Sequence, residues 1–300
     1  MKVLSACLVL SLSPAVTAEN TLTWAVSHLP PIYIQEGRPE LLGTGIGDQL
    51  LDALAEHMPG YRHVRQKMNL PRLVAEWQAG KPVCFASGIR TPERDALTVS
   101  TPSAISPGPM LVIRRADRAR FGELPVDLAT LMTRKDLQGA YQRGVAYSPD
   151  IAALLEQTDE QGPFKPSVVN ETNLIRMLEL RRIDYTLGRP QVLRWLEREG
   201  TISPALESLP LRQSQQMSVA YVLCTRNEWG RKTIRDIDAA LQRMAASPIY
   251  PALFQAWLPE QEWKRSQPDI QRFLSQRRTP QVHDPDDTLP DPAKRAQDTK

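Results

Sequence analysis

The sequence predicts an α/β fold, and three observations carry the prediction. Short runs rich in β-branched and aromatic residues alternate with amphipathic helical patterns from Thr21 to Trp257. No short internal repeat or low-complexity tract interrupts them. At two points a strand runs into a hydroxyl residue, Pro and an acid, which is how a helix starts. Strands alternating with helices in this way build βαβ units.

The elements follow in order. Residues 21–26 (TLTWAV) read as a strand, and 47–58 as an amphipathic helix opening on Asp48. A weaker strand at 62–67 precedes a helix at 70–79, then a strand at 83–87 and a helical turn at Thr91-Pro92-Glu93. Further strands are expected at 110–113, 144–147, 167–169 and 184–187, with helices at 149–157, 172–182 and 191–199 between them. Residues 217–224 (MSVAYVLC) form the strongest strand pattern, followed by helices at 229–244 and 249–257.

The ends differ from this middle. Residues 1–18 (MKVLSACLVLSLSPAVTA) combine Lys2, an apolar run, the breaker Pro14 and the small-residue exit Val16-Thr17-Ala18. That is the order of a cleavable secretory signal, so export is expected. Leu4-Ser5-Ala6-Cys7 has the local lipobox pattern, but Cys7 lies inside the apolar run rather than after it, so lipidation is not expected. No later segment offers the roughly 20 continuous apolar residues of a membrane span, and a soluble protein is expected after cleavage. From Arg265 onward, five prolines and mixed charges dominate, and residues 265–300 read as a disordered tail. Residues 19–264 suit one large domain or two lobes.

Lys plus Arg (37) nearly balance Asp plus Glu (34), which argues against a nucleic-acid partner. With Cys7 removed, Cys84 and Cys224 remain. In an oxidising compartment they could form a disulfide; they could equally be two buried thiols. The four histidines lack metal-ligand spacing, so neither metal nor cofactor is expected. No Gly-x-Ser-x-Gly elbow occurs, and nothing assembles a nucleophile with a base, so the chain does not read as an enzyme. Gly43-Thr44-Gly45-Ile46-Gly47 is too far from the first strand for a dinucleotide fingerprint and reads as a flexible loop entering the next helix.

Thr91-Pro92-Glu93-Arg94 and Ser148-Pro149-Asp150 each supply an N-cap, a Pro at the first helical position and an early carboxylate. Capping alone accounts for both. Arg94 adds a fork-shaped cation suited to a ligand carboxylate.

In their order and spacing, these pieces resemble the type II periplasmic solute-binding proteins, specifically the extracellular family that includes amino-acid receptors of ABC transporters. TLTWAVSHLPPIYI resembles the first strand and its Pro-Pro-aromatic loop, and GIGDQLLDALAEHM the glycine-aspartate helix entry. LVAEWQAGKPVCFASGIRTPERDALTVSTP resembles the stretch holding the ligand-binding arginine. LQGAYQRGVAYSPDIAALLE and LIRMLELRRIDYTLGRP resemble the second lobe.

The resemblance implies two α/β lobes joined by two crossover strands, lobe I at 19–106 and 218–264 and lobe II at 107–217, with ligand clamped between them. It implies that Arg94 grips a carboxylate, that Ser87 lines the cleft, that Ser148 caps the second-lobe helix toward that carboxylate, and that Tyr33 lays its ring against the ligand. Asn69 and Arg72 are softer candidates that could simply cap and solvate a helix. The strands carrying Cys84 and Cys224 should lie together, which favours the disulfide.

Two departures stand out. Arg189 falls where amino-acid receptors commonly carry an acid for the ammonium, and Ile89 where a hydroxyl residue is often found. Unless Arg189 turns to solvent, it repels an ammonium and favours a second negative group, so an acidic ligand is expected. The expected function is a monomeric periplasmic binding protein serving an ABC permease. The alternatives are a ligand-sensing subunit for a membrane signalling protein, or a periplasmic enzyme on the same fold.

Overall fold

A computed structural model describes residues 21–145, 147–214 and 217–288. The expected signal at 1–18 lies outside the described residues.

In chain order, β1 (Thr21–Val26), α1 (Ile46–His57), β2 (Arg62–Lys67), α2 (Leu70–Gln78), β3 (Cys84–Gly88) and α3 (Pro92–Asp95) lead into a ten-residue strand, β4 (Thr98–Pro107). The chain continues through β5 (Met110–Arg114), α4 (Leu128–Met132), β6 (Gly139–Gln142), α5 (Pro149–Leu155), β7 (Phe164–Ser167), α6 (Glu171–Glu179), β8 (Tyr185–Gly188), α7 (Pro190–Glu199) and β9 (Leu206–Leu209). It returns as β10 (Met217–Thr225), followed by α8 (Glu228–Ala245), α9 (Ile249–Gln255) and α10 (Glu260–Gln276).

These elements build two mixed sheets of five strands, ordered β2-β1-β3-β10-β4 in lobe I and β7-β6-β8-β5-β9 in lobe II. In lobe I, α1 buries Leu50 and Leu54, and α8 buries Ile234, Ile237 and Leu241, in one core. Their i, i+3, i+4 spacing turns one apolar stripe inward. β4 and β10 pair antiparallel along their whole length, from Thr98↔Thr225 to Pro107↔Met217, and both leave lobe I toward lobe II. Pro102 can sit within β4 because that strand is the edge of its sheet.

Cys84 and Cys224 stand opposite each other on β3 and β10 and form a disulfide that closes a separation of 140 residues.

Three expectations are corrected. The strand expected at 144–147 is displaced to β6, since Gly144 turns with φ +81°. Gly139 lets β6 approach β8, because a Cβ there would lie 2.4 Å from the Tyr185 ring. Gly45 and Gly47 of the glycine run entering α1 are close-packed rather than slack: a Cβ on Gly45 would lie 2.3 Å from the Ile32 carbonyl oxygen, and one on Gly47 2.7 Å from the Tyr33 ring.

The third correction concerns the tail. Residues 265–276 continue α10, and Ile270, Phe273 and Leu274 enter the lobe I core. Beyond the helix, Arg277 is 1 % exposed and pairs with Asp238 at 3.0 Å. His283 exchanges both backbone hydrogen bonds with Ser100 (2.9 and 2.7 Å), covering the β4 edge. Composition suggested disorder because the apolar residues are few, but their helical spacing makes one continuous stripe. Residues 289–300 of the expected tail lie outside the described residues.

Among the described residues, no helix is long and apolar enough to cross a membrane.

Candidate functional site: a cleft between the lobes

β1 and β3 are parallel and end on the same side of the lobe I sheet. Ligands in open α/β sheets bind outside such carboxyl ends. Alternation along β3 buries Cys84 and Ala86 in the core and turns Phe85 and Ser87 toward lobe II. Beyond Ile89 the chain enters α3, where the Thr91 hydroxyl accepts the Arg94 backbone N–H (3.3 Å) and sets the first turn.

The two arginines flanking this turn have different fates. Arg90 makes a bidentate pair with Asp95 (3.0 and 2.8 Å) and lies over the Tyr221 ring. Arg94 donates from Nη1 to the Ile89 carbonyl (2.8 Å) and has no ion pair among the described residues. Its guanidinium is thus the charged group available to a solute.

Facing it, β8 ends at Gly188 and α7 begins after Arg189, bringing Arg189 and Gln191 to the same cleft. The paired strands β4 and β10 add Ser106 and Ser218 at the back. The cleft has a volume of about 480 Å³, and Met68, Leu73 and Phe85 make much of its wall apolar. No carboxylate is among its described lining residues.

Four of the residues singled out from sequence therefore meet in one cleft: Ser87, Ile89, Arg94 and Arg189. The others do not line it. Tyr33 is fully buried, 5.9 Å from the Phe85 ring, and its hydroxyl accepts a hydrogen bond from Ser87 (3.4 Å). It supports the cleft wall from behind instead of facing a ligand, and burial pushes its phenol well above the ordinary value. Ser148 precedes α5 without capping it; its hydroxyl donates to the Gln213 carbonyl (3.1 Å). Asn69 accepts from the Arg72 N–H (3.0 Å) as the N-cap of α2, and the Arg72 side chain lies along the exposed helix toward Glu76 (3.8 Å).

Arg189 lines the cleft but its charge is already matched. Its backbone N–H donates to Glu171 Oε1 (2.6 Å), and Nε and Nη2 donate to Glu171 Oε2 (2.9 and 2.6 Å). The expectation that Arg189 favours a second negative group is corrected on this ground: a bidentate carboxylate neutralises it locally. Gln191 escaped notice in the sequence because a Gln near a helix start ordinarily faces water.

The lobes also touch away from the cleft. Trp195 of α7 packs on the cluster of Ile34, Leu41 and Trp257. Arg198 stacks on Trp257, and Arg38 donates to the Arg198 carbonyl (3.3 Å).

This architecture has many solved counterparts. The "probable amino-acid ABC transporter extracellular-binding protein ytmK" of Bacillus subtilis matches with TM-score 0.63 at 15% identity, over 80% of this chain and 98% of its own. The ancestral cationic amino acid solute binding protein AncCDT-1 matches with TM-score 0.60 at 14% identity, over 80% and 96%. AbpA of Streptococcus pneumoniae, an amino acid ABC transporter substrate-binding protein bound to L-arginine, matches with TM-score 0.53 at 17% identity, over 82% and 99%. The chain has the two-lobed periplasmic-binding-protein fold. No protein-family profile and no curated protein sequence matches it. The fold implied by the resemblance is thus present at very low sequence identity.

Proposed function

We propose that this chain is an exported solute-binding protein that closes its two lobes on a small carboxylate-bearing solute and delivers it to an ABC permease. The observation that carries this reading is Arg94: a guanidinium with no ion pair among the described residues, in an interlobe cleft with no carboxylate among its described lining residues. Such a site attracts one negative group and offers no counter-charge to an ammonium or a second guanidinium.

Binding free energy that is larger in the closed state drives the closure, with β4 and β10 as the flexing connection. The solved counterparts are named as amino-acid transporter components. The Cys84–Cys224 disulfide and the signal pattern at 1–18 support action in an oxidising compartment, the periplasm. The pairing of Arg189 with Glu171 narrows the expected ligand from one with two negative groups to one with a single carboxylate.

The test is isothermal titration of the mature protein and of Arg94→Ala against monocarboxylates, dicarboxylates, L-arginine and L-lysine. Monocarboxylates bind the wild type, and Arg94→Ala loses about 100-fold or more in affinity at unchanged melting temperature. Tight binding of arginine or lysine with no binding of organic acids would falsify the reading that the site has no counter-charge for a cation, and solute binding unaffected by Arg94→Ala would overturn the carboxylate contact itself.

A further inference from the structure

We propose that Gln191 is the specificity-determining residue of lobe II, and that it selects a monocarboxylate bearing an uncharged hydroxyl or amide group over the corresponding amino acid. The inference rests on the carboxylate reading of Arg94 and extends it to the opposite wall of the cleft.

Gln191 sits in the first turn of the ten-residue α7, directly after Pro190. It is 7 % exposed and lines the cleft, while its Oε1 is closed off from solvent and has no hydrogen-bond partner among the described residues. Buried polar atoms are almost always paired, so an amide with one end sealed and unpaired has only its other terminal atom to present to the cleft. Rotating the amide by half a turn exchanges oxygen and nitrogen without changing its neutrality. The group presented to the cleft is therefore uncharged in either orientation, a donor in one and an acceptor in the other.

The surroundings decide which solute group fits. The adjacent cation, Arg189, is held by Glu171, whose side chain is 12 % exposed, so neither contributes a free charge. Lobe I contributes the positive Arg94. An ammonium entering this space would lose its hydration without gaining a counter-ion, whereas a hydroxyl or amide loses less and pairs with the end of the Gln191 amide that faces the cleft. Met68, Leu73 and Phe85 would take an apolar body between the two polar ends.

Three probes of one carbon skeleton isolate the effect: 2-hydroxy-4-methylpentanoate, 4-methylpentanoate and leucine. Titration of the wild type should rank the hydroxy acid about tenfold or more ahead of both others. Gln191→Met, matched in volume, should bring the hydroxy acid level with 4-methylpentanoate and raise the melting temperature of the unliganded protein. Gln191→Glu, which supplies the missing counter-charge, should move the preference to leucine. Arg94→Ala should abolish binding of all three.

Equal wild-type affinities, or discrimination that survives Gln191→Met, overturn the role of Gln191 while leaving Arg94's intact. Preference of the wild type for leucine overturns the stated solute class. Failure of all three probes to bind the wild type, or binding unaffected by Arg94→Ala, overturns the carboxylate reading and this inference with it.

Discussion

The guanidinium carbon of Arg198, on lobe II, lies 4.2 Å from the ring centre of Trp257, on lobe I. Trp257 is itself anchored by donating from its indole N–H to the Thr44 carbonyl (3.0 Å), and Arg198 Nη1 reaches the Ala256 carbonyl (3.4 Å). The same helix, α7, presents Gln191 to the cleft at its start and Arg198 to this contact near its end. A partly desolvated cation–π contact of this kind contributes about 1 kcal/mol. Arg198→Ala should therefore favour the open arrangement, with a larger radius of gyration by small-angle scattering and ligand affinity roughly fivefold weaker. An unchanged radius and affinity would assign the contact no part in closure.

The disulfide joins the strands that carry the cleft wall and the return crossover. By limiting the unfolded chain across 140 residues, it should stabilise the protein by about 2–5 kcal/mol. Denaturant melts with and without reductant measure this directly. Paired Cys84→Ser and Cys224→Ser substitutions should reproduce the reduced midpoint. A non-reducing peptide map that finds both thiols free would remove the basis of the prediction.

Arg277 and Asp238 form an ion pair with both side chains almost fully buried, and Asp238 also accepts from the Thr101 hydroxyl (2.5 Å) and the Gln242 amide (2.7 Å). Removing one partner strands the other charge. Arg277→Met should cost about 3–5 kcal/mol, and adding Asp238→Asn should recover much of it. Urea midpoints of the single and double variants decide this, and a single variant as stable as the wild type would contradict it.

His63 is neutral in the fold for a structural reason. Its Nδ1 accepts the Trp24 indole N–H (3.0 Å), leaving Nε2 to face the Met58 carbonyl (3.3 Å). Burial, with the Arg65 charge adding to it, holds the imidazole pKa below its ordinary value. A depressed pKa contributes stability that is present above the unfolded value of about 6.5 and lost as pH falls through the folded value. The wild type should thus lose more stability than His63→Gln between neutral pH and pH 5. Parallel pH dependences of the two denaturation midpoints would exclude the mechanism.

Local patterns were legible where one chain segment decides its own structure. Residues 21–26 and 62–67 form strands with the expected bounds, and Thr91 caps the turn that carries Arg94. Errors appeared where a partner remote in sequence decides. Residues 144–147 look like a strand in isolation, yet the ladder with β7 and β8 forms at Gly139–Gln142.

By itself, the sequence determined the alternation of strands and helices, the helix starts at Pro92 and Pro149, and the place of an arginine beside a cap. Those properties follow from spacing and backbone chemistry within a few residues. Only the tertiary structure decided which polar groups were already satisfied. Glu171, 18 residues away, neutralises Arg189; Gly47 lets Tyr33 fold into the core; Asp238 draws in Arg277 and the segment after it. The Gln191 side-chain oxygen is left without a partner among the described residues. Desolvation and charge depend on distance through space, and no spacing along the chain encodes that distance.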